Sequence, residues 1–441
     1  MGRQATVNRP WPLLFAALLL AAFRAGPAWG AADRETVVGF RARPATVLIG
    51  VAVGAAGQVR CGGGAPVSVS PAPNTWIGSG SIIHPEGWVV TNGHVVSPYV
   101  EENDDKYLPI LLERAVAQAC ASDLEGLSGE ARAARIKALA AAPANRAGLK
   151  LEKTLQVTMS NGKSFPAQVK TYSPPAFTVV GTVKDASGTE RKEYGKDVAI
   201  LKFDGKDLPV VRLAKDTRRL HIGQEIVVVG FPGVVADHEL LSRATRFLPS
   251  VTFGRISGIK QDVGGHRVIQ TDAAIIQGNS GGPVFDLAGE VVGAATFTSL
   301  QGDMVVQGFN FLIPVETLWE AAKKAGVTPQ PESAFMRLWD KGIASFLKGR
   351  YASALASIEA AGAIHPGFME VERVKEGIAA HIEETPFYER EGVQRILLGL
   401  AVVVAVIAAW LGARWRSAAL TRRIRAVVQE ELQQSGAKLG T

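Results

Sequence analysis

Short apolar runs punctuated by glycine dominate residues 44–318, and their length and β-branched content predict strands. One set is expected at Thr46–Val53, Ser79–His84, Trp88–Thr91, Leu155–Ser160, Lys163–Val169 and Val198–Phe203. A second is expected at Glu225–Gly230, Val251–Ile259, Val268–Thr271, Val284–Asp286, Val291–Thr298 and Val305–Ile313. Asn161-Gly162, between two of these runs, is a strong hairpin-turn dipeptide. Many short strands with regular turns make the fold mainly β, a barrel or sandwich rather than a parallel α/β sheet.

Two stretches break this rhythm. Residues 98–150 read as a helical insertion, alanine-rich around Leu108–Ala121 and Ala131–Ala142, opened by an acidic run expected to be a solvated loop (Glu101, Glu102, Asp104, Asp105). Residues 333–385 form a small α-helical segment. Gly342, Gly349, Tyr351, Ala354, Leu355, Ala361 and Pro366 fall there in the register of one tetratricopeptide-like repeat starting at Phe335. Leu338, Lys341 and Ser345 depart from that pattern. A lone repeat cannot bury its own face, so it must lean on the helix Phe368–Ile382, on the β-rich body or on a protein partner.

Both ends of the chain meet a membrane in this reading. Arg3 and Arg9 precede an apolar run from Trp11 to Phe23, too short to span a bilayer. With Pro27 and the small residues before Ala31, this predicts a signal peptide over residues 1–31 and export of the chain beyond it. From Ile396 to Ala413 no residue is charged, a helix of roughly 27 Å at 1.5 Å per residue. A transmembrane helix is therefore expected over residues 395–413, bounded by Arg395 and Arg414. Arg414, Arg416, Arg422, Arg423 and Arg425 then precede any acid, which puts the basic tail 414–441 in the cytoplasm and residues 32–394 outside.

Composition adds one exclusion. The net charge of +7 suggests nucleic acid until it is divided along the chain. Residues 1–30 and 414–441 supply all of it, and the middle carries 39 basic and 39 acidic residues. No nucleic-acid partner is expected. The two cysteines, Cys61 and Cys120, leave open one disulfide or two free thiols, since export permits the first without bringing the two together.

The candidate chemistry lies in three places. Gly278-Asn279-Ser280-Gly281-Gly282-Pro283 surrounds a serine with glycines, which permit a tight turn and converging N–H groups around a developing oxyanion. Gly278, Asn279 and Ser280 are the candidate oxyanion residues, with the N–H groups of Gly278 and Ser280 as its donors. His94 follows the apolar run Val89-Val90-Thr91-Asn92-Gly93 and is the candidate base. Asp197 leads the strand Val198-Ala199-Ile200-Leu201, where a carboxylate can fix the imidazole tautomer.

These motifs, in the order His94, Asp197, Ser280, resemble the trypsin-fold serine proteases, and most closely the HtrA/Deg branch. Further matches are Gly78-Ser79-Gly80 with Ile82-Ile83, Gly230-Phe231-Pro232, Thr271-Asp272-Ala273-Ala274 and Gly308 to Pro314. The resemblance implies a chymotrypsin-like double β-barrel over residues 32–320, two six-stranded barrels with the triad between them. It implies a serine-type endopeptidase acting on protein or peptide substrates, with neither metal nor cofactor. Asn279 carries no charge to pair with a new N-terminus, so activation of that kind is not expected. Ala274, Ile276 and Thr296 are the expected lining of the primary specificity pocket, which suits small aliphatic side chains. The 103 positions from His94 to Asp197 exceed what is usual in the family.

Overall fold

The computed structural model describes residues 32–437 apart from 63, 102–103, 185–187, 234–241, 243–245, 302–303 and 385–392. The expected signal peptide lies outside the described residues.

A short helix, α1 (Ala32–Ala42), leads into β1 (Thr46–Arg60). Residues of β1 alternate between buried and half-buried, the period-2 signature of a strand with one face on a core. β2 (Pro66–Val69) folds back on its outer end, and β3 (Asn74–His84) and β4 (Trp88–Thr91) come after it. Helix α2 (Gly93–Val100) is next, then the insertion helices α3 (Asp104–Ala119), α4 (Gly129–Ala140) and α5 (Pro143–Gly148). The acidic run is not a loop throughout. Asp104 and Asp105 sit in the first turn of α3, where carboxylates complement the helix dipole, and Glu101 caps the C-terminus of α2.

The chain then returns as β5 (Leu149–Thr158), β6 (Ser164–Pro166) and β7 (Gln168–Ser173). A separate ribbon, β8 (Val179–Lys184) with β9 (Glu190–Tyr194), precedes β10 (Val198–Lys202). The pairing order is β6-β5-β1-β3-β4-β10-β7. β6 and β7 are one run of chain kinked at Ala167, so the path closes on itself as a six-stranded barrel carrying β2 as an appendage.

The insertion packs Tyr107, Leu111, Leu112, Ala115 and Val116 against Val53, Ala55 and Val59 of β1. A disulfide from Cys61 to Cys120 ties it there, deciding between the two outcomes the sequence left open.

The second sheet comprises β11 (Arg212–Leu213), β12 (Glu225–Gly230), β13 (Ser250–Gln261), β14 (Arg267–Thr271), β15 (Pro283–Phe285), β16 (Glu290–Gln301) and β17 (Met304–Pro314). β16 pairs with both β15 and β17, closing six strands into a ring, and β11 adds in parallel to β16. Helix α6 (Val315–Lys324) buries Val315, Leu318, Ala321 and Ala322 in the core of this barrel.

Helices α7 (Ala334–Leu347), α8 (Tyr351–Ile364) and α9 (Met369–Glu384) form the C-terminal helical region. They have no core of their own. Phe335, Trp339, Ile358, Phe368 and Ile378 join Val47, Ile49, Val157 and Leu201 of the first barrel in one apolar cluster. Of the supports the sequence allowed, the helices use two, each other and the barrel. Helix α10 (Val393–Ala437) is long and apolar enough to cross a membrane between Ile396 and Leu432, and none of that window is buried.

Candidate active site

β4 delivers Asn92 and Gly93 to the seam between the barrels, and α2 starts there with His94 near its first turn. A Cβ on residue 93 would lie 2.0 Å from the Ser173 carbonyl oxygen, so only glycine lets α2 start this close to β7. At the far end of α2 the Tyr172 hydroxyl donates to the Glu101 carboxylate. Burial first, then the Glu101 bond and the charges of Glu101 and Asp197, push the Tyr172 hydroxyl far above its ordinary range, which keeps it a donor.

Asp197 precedes β10 with φ of 50°, a left-handed conformation that aspartate tolerates better than most residues. Its N–H donates to the Pro174 carbonyl (2.9 Å), and its carbonyl accepts from Asn92 Nδ2 (3.0 Å). The carboxylate collects three donors. Oδ1 accepts the backbone N–H of His94 (2.8 Å), Oδ2 accepts Thr296 Oγ1 (2.6 Å), and His94 Nδ1 lies 3.0 and 2.9 Å from the two oxygens. The side chain of Asp197 is 4% exposed against 35% for His94, so the acid is sealed and the imidazole opens to the cleft. An ionised carboxylate at Nδ1 requires a proton on that nitrogen, which leaves Nε2 as the acceptor.

Ser280 lies across the seam on the turn before β15. Gly278 has φ of 99° and Asn279 N–H donates to the Ile276 carbonyl (3.0 Å), the marks of a type II turn. Every carbonyl from residue 277 to 280 is held from behind. Gln277 O accepts Gly233 N–H (2.8 Å), Gly278 O accepts Ser79 Oγ (2.7 Å), Asn279 O accepts Gly282 N–H (2.9 Å) and Ser280 O accepts Ser79 N–H (2.8 Å). The N–H groups of Gly278 and Ser280 have no partner among the described residues. A rigid pair of unengaged donors is what an oxyanion needs. Asn279, between them, has its N–H engaged in the turn and so adds no third donor. Its buried Oδ1 has no partner among the described residues.

Ser280 Oγ donates to the Thr296 carbonyl (3.0 Å), and among the described residues no hydrogen bond joins it to His94. His94, Asp197, Ser280, Ile276 and Thr296 line one cleft of about 930 Å³. Ala274 does not join them. It is exposed, and its carbonyl accepts from Thr252 Oγ1 instead. Thr296 was expected only as pocket lining, yet it touches both Asp197 and Ser280. Sequence reasoning also gave Ser79 no role, although the glycines around it signal a backbone packed too closely for side chains.

With this geometry in hand, residues 78–293 match the family model for the trypsin-like peptidase domain. A probable periplasmic serine endoprotease, DegP-like, of Ectopseudomonas mendocina is 34% identical over 230 residues, 48% of this chain and 44% of that one. A second such protein, from Pseudomonas fluorescens, is 40% identical over 133 residues, 29% of this chain and 25% of that one. The matched domain is a trypsin-like peptidase domain, similar to serine proteases of the HtrA/Deg family. The chain thus spans less than half the length of these HtrA/Deg relatives. Among solved HtrA-type proteases, AlgW with a decapeptide aligns at 20% identity and a TM-score of 0.39, covering 66% of this chain and 67% of that one. The stapled insertion α3–α5 and the ribbon β8–β9 lengthen the interval between His94 and Asp197, which also holds the barrel strands β5, β6 and β7.

Proposed function

We propose that the chain is a serine endopeptidase anchored in the inner membrane of a bacterial envelope, cleaving exported or membrane-proximal proteins. The observation that carries this reading is the sealed Asp197 carboxylate on His94 Nδ1, beside a serine turn with two unengaged N–H groups. In the mechanism, Ser280 Oγ leaves the Thr296 carbonyl by a χ1 rotation and gives its proton to His94 Nε2 as it attacks the peptide carbonyl. Gly278 and Ser280 N–H groups take the oxyanion, and Asp197 stabilises the imidazolium. His94 then protonates the leaving amine, and water enters by the same base to release the acyl group.

In this reading residues 1–31 are a removed signal peptide, 32–320 the protease, 333–385 a tetratricopeptide-like segment, 395–413 the membrane span and 414–441 a cytoplasmic tail. The basic residues after the span support that orientation. The helical segment holds the cleft off the bilayer or docks an adaptor protein.

The test uses the full chain in detergent. A fluorophosphonate probe is expected to label the wild type at residue 280 and to leave Ser280→Ala unlabelled. Casein digestion should fall about 10⁶-fold in that variant, the loss typical of a removed nucleophile. The Ser280–Thr296 hydrogen bond favours a second reading, a protease-fold binding protein with latent activity. Absence of labelling in every native condition would decide for it.

A further inference from the structure

Outside α10, Phe177 (79% exposed) and Val263 (72%) are the two most exposed large apolar side chains among the described residues. Both line the cleft that holds His94 and Ser280. Single exposed apolar residues are ordinary, but two at the rim of one cleft point to a binding groove.

Each is presented by a rigid turn. Thr178 N–H closes onto the Pro175 carbonyl (2.8 Å), which places Ala176 and Phe177 at the corners of a tight turn leading into β8. Val263 sits at the tip of the β13–β14 hairpin. There Asp262 Oδ1 accepts the N–H groups of Gly264 and His266 (both 2.8 Å), and Oδ2 lies 3.1 Å from His266 Nδ1. The hairpin tip approaches the ribbon that follows the Phe177 turn: a Cβ on Gly264 would stand 3.0 Å from Tyr194 Cβ, and Tyr194 pairs with Val179. The turns fix the backbone of both residues at the rim of the cleft. No third strand pairs with the ribbon β8–β9 among the described residues, and Val179, Val180 and Val183 carry the apolar surface along it. Lys260 and Asp262 on the same wall oppose each other in sign, so charge does not select the occupant.

We propose that Phe177 and Val263 form an apolar subsite, separate from the one at Ile276, that grips a second, large apolar side chain of the polypeptide lying at Ser280. The assignment rests on the endopeptidase reading. Its occupant is an extended peptide substrate with a small aliphatic side chain at Ile276 and a large branched or aromatic one at this pair, because both residues line the cleft. Two preorganised walls hold such a side chain at little ordering cost.

The test compares pairs of fluorescence-quenched decapeptides that differ by leucine or serine at one position, scanned away from the cleaved bond. For the wild type, one position should show about tenfold preference for leucine in kcat/KM, the scale of a filled apolar pocket. Phe177→Ser and Val263→Ser, both at exposed sites where folding tolerates change, should bring that ratio close to one. A ratio that survives both substitutions overturns the proposal, as does a wild type without the preference, and general damage would lower both peptides together. If concentration-dependent self-association is lost in the variants while the ratio stands, the pair serves a second copy of the chain and the proposal fails. Should Ser280 not react with fluorophosphonate at all, the endopeptidase reading fails separately. Anisotropy of the labelled leucine peptide bound to Ser280→Ala, with and without Phe177→Ser, then reads the subsite alone: about tenfold weaker binding in the double variant upholds it, and equal binding sinks it.

Discussion

The two barrels are built alike and held differently. The first carries His94 and Asp197 and is braced on two sides, by the stapled insertion and by helices that share its core. The second carries Ser280 and packs its closed ring against α6 and against Ile83, Val90, Val198 and Ile200 of the first. Braces of the first kind are apolar and tolerate small shifts. Beside the serine turn the seam between the barrels carries directed polar contacts, which do not: Ser79 reaches from β3 to two carbonyls of that turn, and Thr296 reaches from β16 to Asp197. Burial therefore sets how firmly the halves stand, and a few directed hydrogen bonds set whether they meet correctly.

Asp197→Asn gives the largest expected break. Asparagine tolerates the left-handed backbone at φ of 50°, so the barrel should stay folded. The neutral amide presents Nδ1 with the wrong tautomer, and kcat should fall about 10⁴-fold with KM little changed. A loss under about tenfold, measured on peptide hydrolysis, would mean that the acid is a brace and not part of the polar seam.

Trp339→Ala tests the apolar side. Trp339 is fully buried and stacks on Phe335 with ring centroids 5.8 Å apart. Its truncation should cost about 3–5 kcal/mol of unfolding free energy by urea titration. Fluorophosphonate labelling of the folded fraction should remain at the wild-type rate, since no polar contact of the seam is touched.

Ser79→Ala should show the reverse pattern. Gly278 O loses its donor, and kcat is expected to fall about 10²-fold, the scale of one lost oxyanion donor, while KM holds. Equal losses in kcat and stability with a matching rise in KM would assign Ser79 to packing alone.

Most of this division was legible in the chain. Glycines at 278, 281 and 282 announced a serine turn because no side chain fits there; the β-period runs gave two sets of strands, and the family resemblance gave the two barrels. The helix after His94 was missed because Val95-Val96 continues an apolar strand pattern, and only the Gly93 approach to Ser173 turns the chain. Thr296 and Ser79 were hidden for another reason. Their partners lie 99 and 199 positions away, and a hydroxyl in a strand carries no periodicity that names its acceptor. Phe177 and Val263 escaped because no run of pattern surrounds them.

The smallest expected effect concerns a buried acid in the apolar brace. Glu370 on α9 is 1% exposed, and its Oε2 accepts Ser160 Oγ (2.9 Å) from the turn between β5 and β6. Oε1 has no partner among the described residues. Burial raises its carboxyl above the ordinary range, against the pull of its own backbone N–H, of Ser160 and of the charges on Arg43 and Arg373. A glutamate whose folded value exceeds its unfolded value holds its proton longer in the native state. Its contribution to stability is therefore full below the unfolded value of about 4.3 and lost as pH rises through the folded one. Glu370→Gln removes that loss. Urea midpoints should nearly coincide at pH 4, and the variant should be the more stable at pH 7.5, the gap opening as the wild-type carboxyl ionises. Curves that run parallel across this range would mean that Arg43 and Arg373 keep the carboxylate charged at no cost. The joint between helices and barrel would then be electrostatic, and the contrast with the polar contacts beside the serine turn would narrow to one of degree.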